Sequence, residues 1–421
     1  MDLKRVVVTG IGTINPLGKT VDEFFDNLLK GVSGAAPITR FDASNFKTKF
    51  ACEVKNFDVA QHTEAIERRE ARKLDLYTQF AMIAAYEVVK SSGMELSKVD
   101  CDKVGVVWAS GIGGIRTFFE EVRDFVKGDG TPRFNPFFVP KMIADIAAGQ
   151  ISMKYGLRGP NFATVSACAS STHAMIAAFD LIRLGKAKAI IAGGSEAPIN
   201  EAAMGGFNSA QALSTNNNSY ATASRPFDKT RDGFVMGEGG AGLMFEEYEH
   251  AKARGATIYA EIVGGGMTAD AYHLTAPHPE GLGAANVMRC TLDDANLKPE
   301  DVDYINVHGT STPVGDIAEV KAVEKVFGDH TYKLNISSTK SMTGHLLGAT
   351  GAVEALACIC AIQRGIIPPT INNQDLDPAF DPRLNLTLNV AQKRDVRIAL
   401  SNTFGFGGHN ASVIFKRFSQ F

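Results

Sequence analysis

The sequence predicts an α/β protein built from two similar halves. Apolar β-branched runs alternate with amphipathic stretches along the whole chain, the pattern of strands layered against helices. A strand, a small-residue turn and an alanine-rich helix occur twice, as "ATVSACASSTHAMIAAFDLI" and as "SSTKSMTGHLLGATGAVEALACICAI". A seam falls near Gly255, giving expected domains 1–255 and 256–421. No Pro/Ser-rich linker separates them, so one body is expected.

The elements follow in order. "RVVVTGIG" (5–12), "KVGVVWASG" (103–111), "AKAIIAGGSE" (187–196) and "DYINVHGT" (303–310) read as buried strands ending in glycine or polar residues. Between the first two, "RKLDLYTQFAMIAAYEVVKSSG" (72–93) places apolar residues 76, 80, 83 and 84 on one helix face. "NFATVSA" reads as a strand leading into Cys168, and apolar positions 175, 176, 179 and 182 behind it predict a helix. "GGAGLMFEEYEHAKARG" (239–255) reads as a strand and a charged helix, after which "IYAEIVGGG" opens the second half.

Composition narrows the function. With 421 residues, 45% of them hydrophobic, the chain can bury a large core, and a net charge of -3 excludes a globally basic nucleic-acid binder. No run of about 18 uncharged apolar residues occurs, so no membrane span is expected. Six cysteines without a CxxC pair suggest free thiols in the cytoplasm. Gly10 and Gly12 begin a GxGxxG pattern that fails at Asn15, and neither a P-loop nor HExxH occurs.

Cys168 supports two readings. Free cysteine often simply packs. A thiol on the first turn of a buried helix would instead sit at the positive end of the dipole, which lowers its pKa. His308, in "INVHGTSTPVGD", and His345, in "SSTKSMTGHLLGATGAVEA", lie in polar, glycine-flanked settings. Either could be a partner for the thiol or a structural histidine. "SNTFGFGGHNAS" is a tight turn able to present a backbone N–H to an oxyanion, or simply to cross a strand.

Together these segments resemble one family. "TVSACASS", "ASRPFDKTRDGFVMGEGGAGLMFEEYEHAKARGA", "DAYHLTAPHPEG", "NVHGTSTPVGD", "SSTKSMTGHLLGATGAVE" and "SNTFGFGGHN" are similar, in this order, to the β-ketoacyl-acyl-carrier-protein synthases among thiolase-fold condensing enzymes. "GIGG" at 111–114 and "DAYHLT" resemble the long-chain-elongating synthase II type more than synthase I.

The resemblance implies a five-layered αβαβα body, a homodimer, and decarboxylative condensation of malonyl-carrier protein with an acyl chain on Cys168. His308 and His345 would complete a Cys-His-His triad, with Lys340 supporting His345 opposite Glu354. The N–H groups of Cys168 and Phe406 would form the oxyanion hole. Phe404 and Phe406 would gate an acyl tunnel lined by Ile112, and Thr310 and Thr312 would contact malonyl or pantetheine. No organic cofactor is implied beyond the phosphopantetheine of acyl carrier protein. A structural potassium or sodium ion could sit near Asn306, Glu354, Ser401 and Asn402. Because such carriers are acidic, Arg68, Arg69, Arg72 and Lys73, with 68/72 and 69/73 at i,i+4 helical spacing, are expected to dock them together with Arg133. A polyketide ketosynthase and a non-catalytic chain-length partner are the alternatives of the same fold.

Overall fold

In the computed structural model, which describes residues 3–419, ten strands form two sets with one topology. The first set is β1 (Val6–Ile14), β2 (Val104–Ala109), β3 (Asn161–Phe162), β4 (Ala189–Glu196) and β5 (Gly239–Glu247). The second is β6 (Ala260–Ala269), β7 (Tyr304–Asn306), β8 (Asn335–Ser337), β9 (Ile398–Gly405) and β10 (His409–Lys416). Their orders are β3-β2-β4-β5-β1 and β8-β7-β9-β10-β6. In each, the first two pairings are parallel and the last two antiparallel. The sets join where Val6–Val8 pair antiparallel with Ala260–Ile262.

Six helices complete five layers: α1 (Leu76–Ser92), α2 (Ile146–Tyr155), α3 (Ser170–Arg183), α4 (Leu282–Asp294), α5 (Pro313–Phe327) and α6 (Thr350–Arg364). Helices α1 and α2 cover one sheet from outside, and α4 covers the other with α5 against it. Helices α3 and α6 lie between the sheets and touch both. Covered on both faces, β1, β2, β4 and β5 are buried at every position, which is why they read as near-continuous apolar runs.

Helix α6 is buried throughout Thr350–Ile362, so it is apolar all round and lacks a polar stripe. The stretch Leu347–Arg364 is long and apolar enough to cross a membrane, yet 89% of it is buried inside the protein. A Cβ on Gly351 would collide with Thr172 Oγ1, so the two central helices cross at a distance that only glycine permits. The Ser171 hydroxyl accepts from Ala352 N–H at 3.0 Å across this crossing.

Two expectations differ in detail. "NFATVSA" supplies only the two strand residues of β3. After them the chain bonds through side chains: Thr164 Oγ1 donates to Ser170 O and Ser166 N–H to Ser170 Oγ, so a turn replaces the ladder. Around Arg68 the helix spans only Arg68–Ala71, too short to carry the i,i+4 pairs 68/72 and 69/73.

Candidate active site

Ala167 adopts a left-handed φ of 50°. The Ser170 hydroxyl donates to Ala167 O at 2.6 Å and clamps this turn against the start of α3. Cys168 therefore stands ahead of the helix, two residues before its first helical position, and not on its first turn. Its thiol is pushed up to about 11, opposite to the expected direction, because burial outweighs every stabilising contact. Against burial work the Lys340 charge and two hydrogen bonds, from the backbone N–H groups of Phe406 and of Cys168 itself. At rest the Cys168 thiol is neutral.

His345 comes from the other half. It lies in an irregular turn between Lys340–Thr343 and Leu347–Ala349, with Gly344 and Leu347 at positive φ. Its own N–H donates to Val235 O (2.7 Å), and its carbonyl accepts from Gly237 N–H (2.9 Å), tying the turn to the first half. Nε2 lies 3.1 Å from Cys168 Sγ and Nδ1 lies 2.9 Å from Thr350 Oγ1. His308 follows β7, its ring edge-on to His345 at 5.3 Å between centroids. The sulfur and one nitrogen from each imidazole lie within 4.8 Å of one another. Burial, and then the Lys340 charge, hold both imidazoles well below the ordinary histidine range, so both are neutral.

Lys340 is fully buried and paired with Glu354. Burial raises the Glu354 carboxyl to about 8, although Lys340 pulls it down. Thr310 and Thr312 place their hydroxyls 3.1 Å apart. They line a cavity of about 680 Å³ together with Cys168, His308, His345, Phe404, Phe406 and Ile112. Ile112 and Phe406 are not packed core: they are 39% and 37% exposed at the cavity's edge. Phe406 belongs to the Gly405–His409 turn, where Gly407 and Gly408 both take positive φ. The ring of Phe404 stands 5.8 Å from His308.

Three groups were missed in the sequence. Glu319 on α5 accepts from the His308 and Gly309 N–H groups, each at 2.8 Å, and so shapes the His308 loop. Thr350 sets the His345 ring, and Glu196 is taken up below. The polar Glu319 within the apolar run "IAEVKAV" was the available signal.

The four residues suggested for a cation each hold a buried oxygen without a hydrogen-bond partner: Asn306 Oδ1, Glu354 Oε2, Ser401 Oγ and Asn402 Oδ1. Ser401 faces Asn306 across the β7–β9 pairing. An all-oxygen set of this kind suits a hard cation. On the surface, Arg68, Arg69 and Arg72 are exposed, while Lys73 pairs with Glu70 at 2.8 Å and Arg133 with Asp129 at 3.5 Å.

Fold and site define a condensing enzyme of the thiolase type. The model of the β-ketoacyl synthase N-terminal domain matches residues 3–251, and that of the C-terminal domain matches residues 259–374. The chain belongs to the β-ketoacyl synthase family. It is 49% identical over 415 residues to the 3-oxoacyl-[acyl-carrier-protein] synthase 2 of Staphylococcus aureus (strain COL), covering 99% of both chains. Among solved structures it is similar to a β-ketoacyl synthase from Burkholderia phymatum STM815 (35% identity, TM-score 0.91, covering 99% of this chain and 100% of that one). A type II polyketide ketosynthase, solved with its acyl-carrier protein and bound to a hexaketide, matches at 32% identity and TM-score 0.90, with the same coverage.

Proposed function

We propose that the protein is a synthase II-type enzyme that elongates carrier-bound fatty acyl chains by two carbons. The 3.1 Å approach of His345 Nε2 to the Cys168 thiol, with neutral His308 beside it, carries this reading. The Thr350 hydroxyl can accept from or donate to His345 Nδ1, so Nε2 can serve as acceptor or donor. In acylation, Nε2 takes the thiol proton as sulfur attacks the acyl thioester. The Cys168 and Phe406 N–H groups hold the oxyanion, and the pantetheine thiolate leaves with the proton.

In condensation, malonyl-carrier protein loses carbon dioxide, and the electron pair becomes an enolate whose oxygen accepts from the two imidazoles. The enolate carbon attacks the Cys168 thioester and expels the Cys168 thiolate, giving the β-ketoacyl carrier; a proton from water then restores the thiol. A carboxylate in place of either imidazole would repel the developing charge; neutral histidines do not. Lys340 keeps both imidazoles unprotonated, and Thr310 and Thr312 meet the malonyl carboxylate or the pantetheine arm. Phe404 and Phe406 gate the acyl chain, which passes Ile112.

Asn306, Glu354, Ser401 and Asn402 would hold a potassium or sodium ion, whose charge would balance the buried carboxylate. Exposed Arg68, Arg69 and Arg72 receive the acidic carrier, with Lys73 and Arg133 secondary because each already has an acidic partner. The division near Gly255, a homodimer and a cytoplasmic setting complete the reading; all six cysteines are free.

Identity of 49% to a 3-oxoacyl-[acyl-carrier-protein] synthase 2 against 32% to the polyketide ketosynthase favours fatty-acid elongation. The presence of Cys168 counts against a non-catalytic partner subunit. Mass spectrometry after incubation with acyl- and malonyl-carrier proteins should find the acyl group on Cys168 and a β-keto product. Acyl transfer that survives Cys168→Ala refutes the assignment.

A further inference from the structure

Glu196 ends β4 with no exposed surface, and no step above uses it. Its carboxylate gathers four donors from two distant stretches. Oε1 accepts from the Ser110 hydroxyl (2.8 Å) and Ile112 N–H (3.3 Å); Oε2 accepts from Gly111 N–H (2.7 Å) and Gly348 N–H (2.9 Å). Burial raises this carboxyl to about 7 against the pull of the four hydrogen bonds; its ionised form accepts at both oxygens and donates nothing, so it fits this set, whereas an amide does not. Two glycines close over it. A Cβ at Gly111 would stand 2.9 Å from Oε2, and one at Gly348 would press on the Gly111 nitrogen.

The two stretches have different tasks. Ser110–Ile112 leads into the acyl side of the cavity, where Ile112 lies. Gly348 lies between His345 and Thr350, whose side chains bond each other. The carboxylate therefore joins the acyl-side loop to the turn that presents the imidazole.

We infer that Glu196 is a positioning and specificity-determining residue: it locks the Ile112 loop to the turn behind His345 and so sets which acyl chain lengths Cys168 accepts. The inference rests on reading Cys168 as the acyl acceptor, which the Cys168→Ala experiment tests separately.

Glu196→Gln keeps the volume but in either orientation puts its NH₂ group against a backbone N–H, of Ile112 or of Gly111 and Gly348, so one stretch loses an anchor. In acylation assays with carrier-bound chains from short to long, the ratio of kcat/KM between the ends of the series should change about tenfold or more, the lower end of a methylene-sized pocket contact. KM for malonyl-carrier protein, which binds on the Thr310–Thr312 side, should stay within about twofold.

A second readout separates this role from general loosening. The charged or titratable groups acting on the Cys168 thiol are Lys340, Glu196, His308 and His345, and Glu196 is the one that raises its pKa by charge. Removing that charge should move the pH dependence of Cys168 alkylation by iodoacetamide to lower pH. Ser110→Ala, which removes one donor and leaves the charge, should shift chain-length preference in the same direction without moving the alkylation profile. If Glu196→Gln proves unfolded by circular dichroism, the Ser110→Ala chain-length ratio decides alone. A folded Glu196→Gln enzyme with wild-type chain-length preference, or with an unmoved alkylation profile, overturns the inference.

Discussion

Gly405→Ala tests whether the oxyanion hole depends on the close approach of two turns. Gly405 ends β9 with φ outside the left-handed region, so alanine meets no backbone penalty there. The added Cβ would instead lie 2.9 Å from the Ser166 carbonyl oxygen and 3.1 Å from the Cys168 nitrogen, where ordinary contacts begin at 3.4 Å. Both neighbours are backbone and cannot rotate away. Relief requires the turns to separate by about half an ångström, drawing Phe406 N–H away from the position it shares with Cys168 N–H. Losing an oxyanion donor outright costs ~100- to 1,000-fold in rate, so a partial withdrawal should cost about tenfold or more, ~1.4 kcal/mol. The assay is single-turnover acylation of Cys168 by acyl-carrier protein. Alkylation by iodoacetamide builds no oxyanion and serves as the comparison; it should slow less than acylation, because there the withdrawn Phe406 N–H only loosens its hold on the thiolate. Wild-type acylation by a folded Gly405→Ala protein would refute the reasoning.

Other outcomes are equally specific. Lys340→Met removes the positive charge that helps keep both imidazoles unprotonated, so their pKa values rise. The acid limb of the pH–rate profile should then move to higher pH, and an unmoved limb in an active variant counts against that role. Wild-type stability should fall as pH drops below about 6.5, because the unfolded chain takes up protons that the buried His308 and His345 refuse. Urea unfolding at a series of pH values reads this, and a flat profile there contradicts the depressed histidines. Arg69→Glu with Arg72→Glu should raise KM for carrier-bound substrates; equal losses with free pantetheine thioesters would remove those arginines from the docking surface.

The strands were legible because sheets covered on both faces demand unbroken apolar β-branched runs, as in Val6–Ile14 and Ala189–Glu196. The repeat was legible because each central helix must begin with small residues where it crosses the other. The site was legible only in part. His308 and His345 come from loops more than a hundred residues beyond Cys168, and no local spacing joins them; only the ordered set of motifs does. The thiol's protonation was misjudged because a helix N-terminus is visible in sequence, whereas complete burial is not. Glu319 stood out only as a polar residue in an apolar run, and the roles of Glu319 and Glu196 escaped notice since nearly all their partners are backbone N–H groups, whose positions the sequence does not show.

The duplicated topology has one more consequence. Cys168 precedes α3, and His345 precedes α6, so nucleophile and imidazole occupy matching stations of the repeated unit. In the proposed reaction one copy accepts the acyl group and the other handles protons. Cut between β5 and β6, the molecule would keep all but one of its inter-strand pairings, yet neither piece would hold a complete reaction. The 3.1 Å between sulfur and nitrogen is a gauge of how the two copies are docked, and chemistry becomes possible only once they meet.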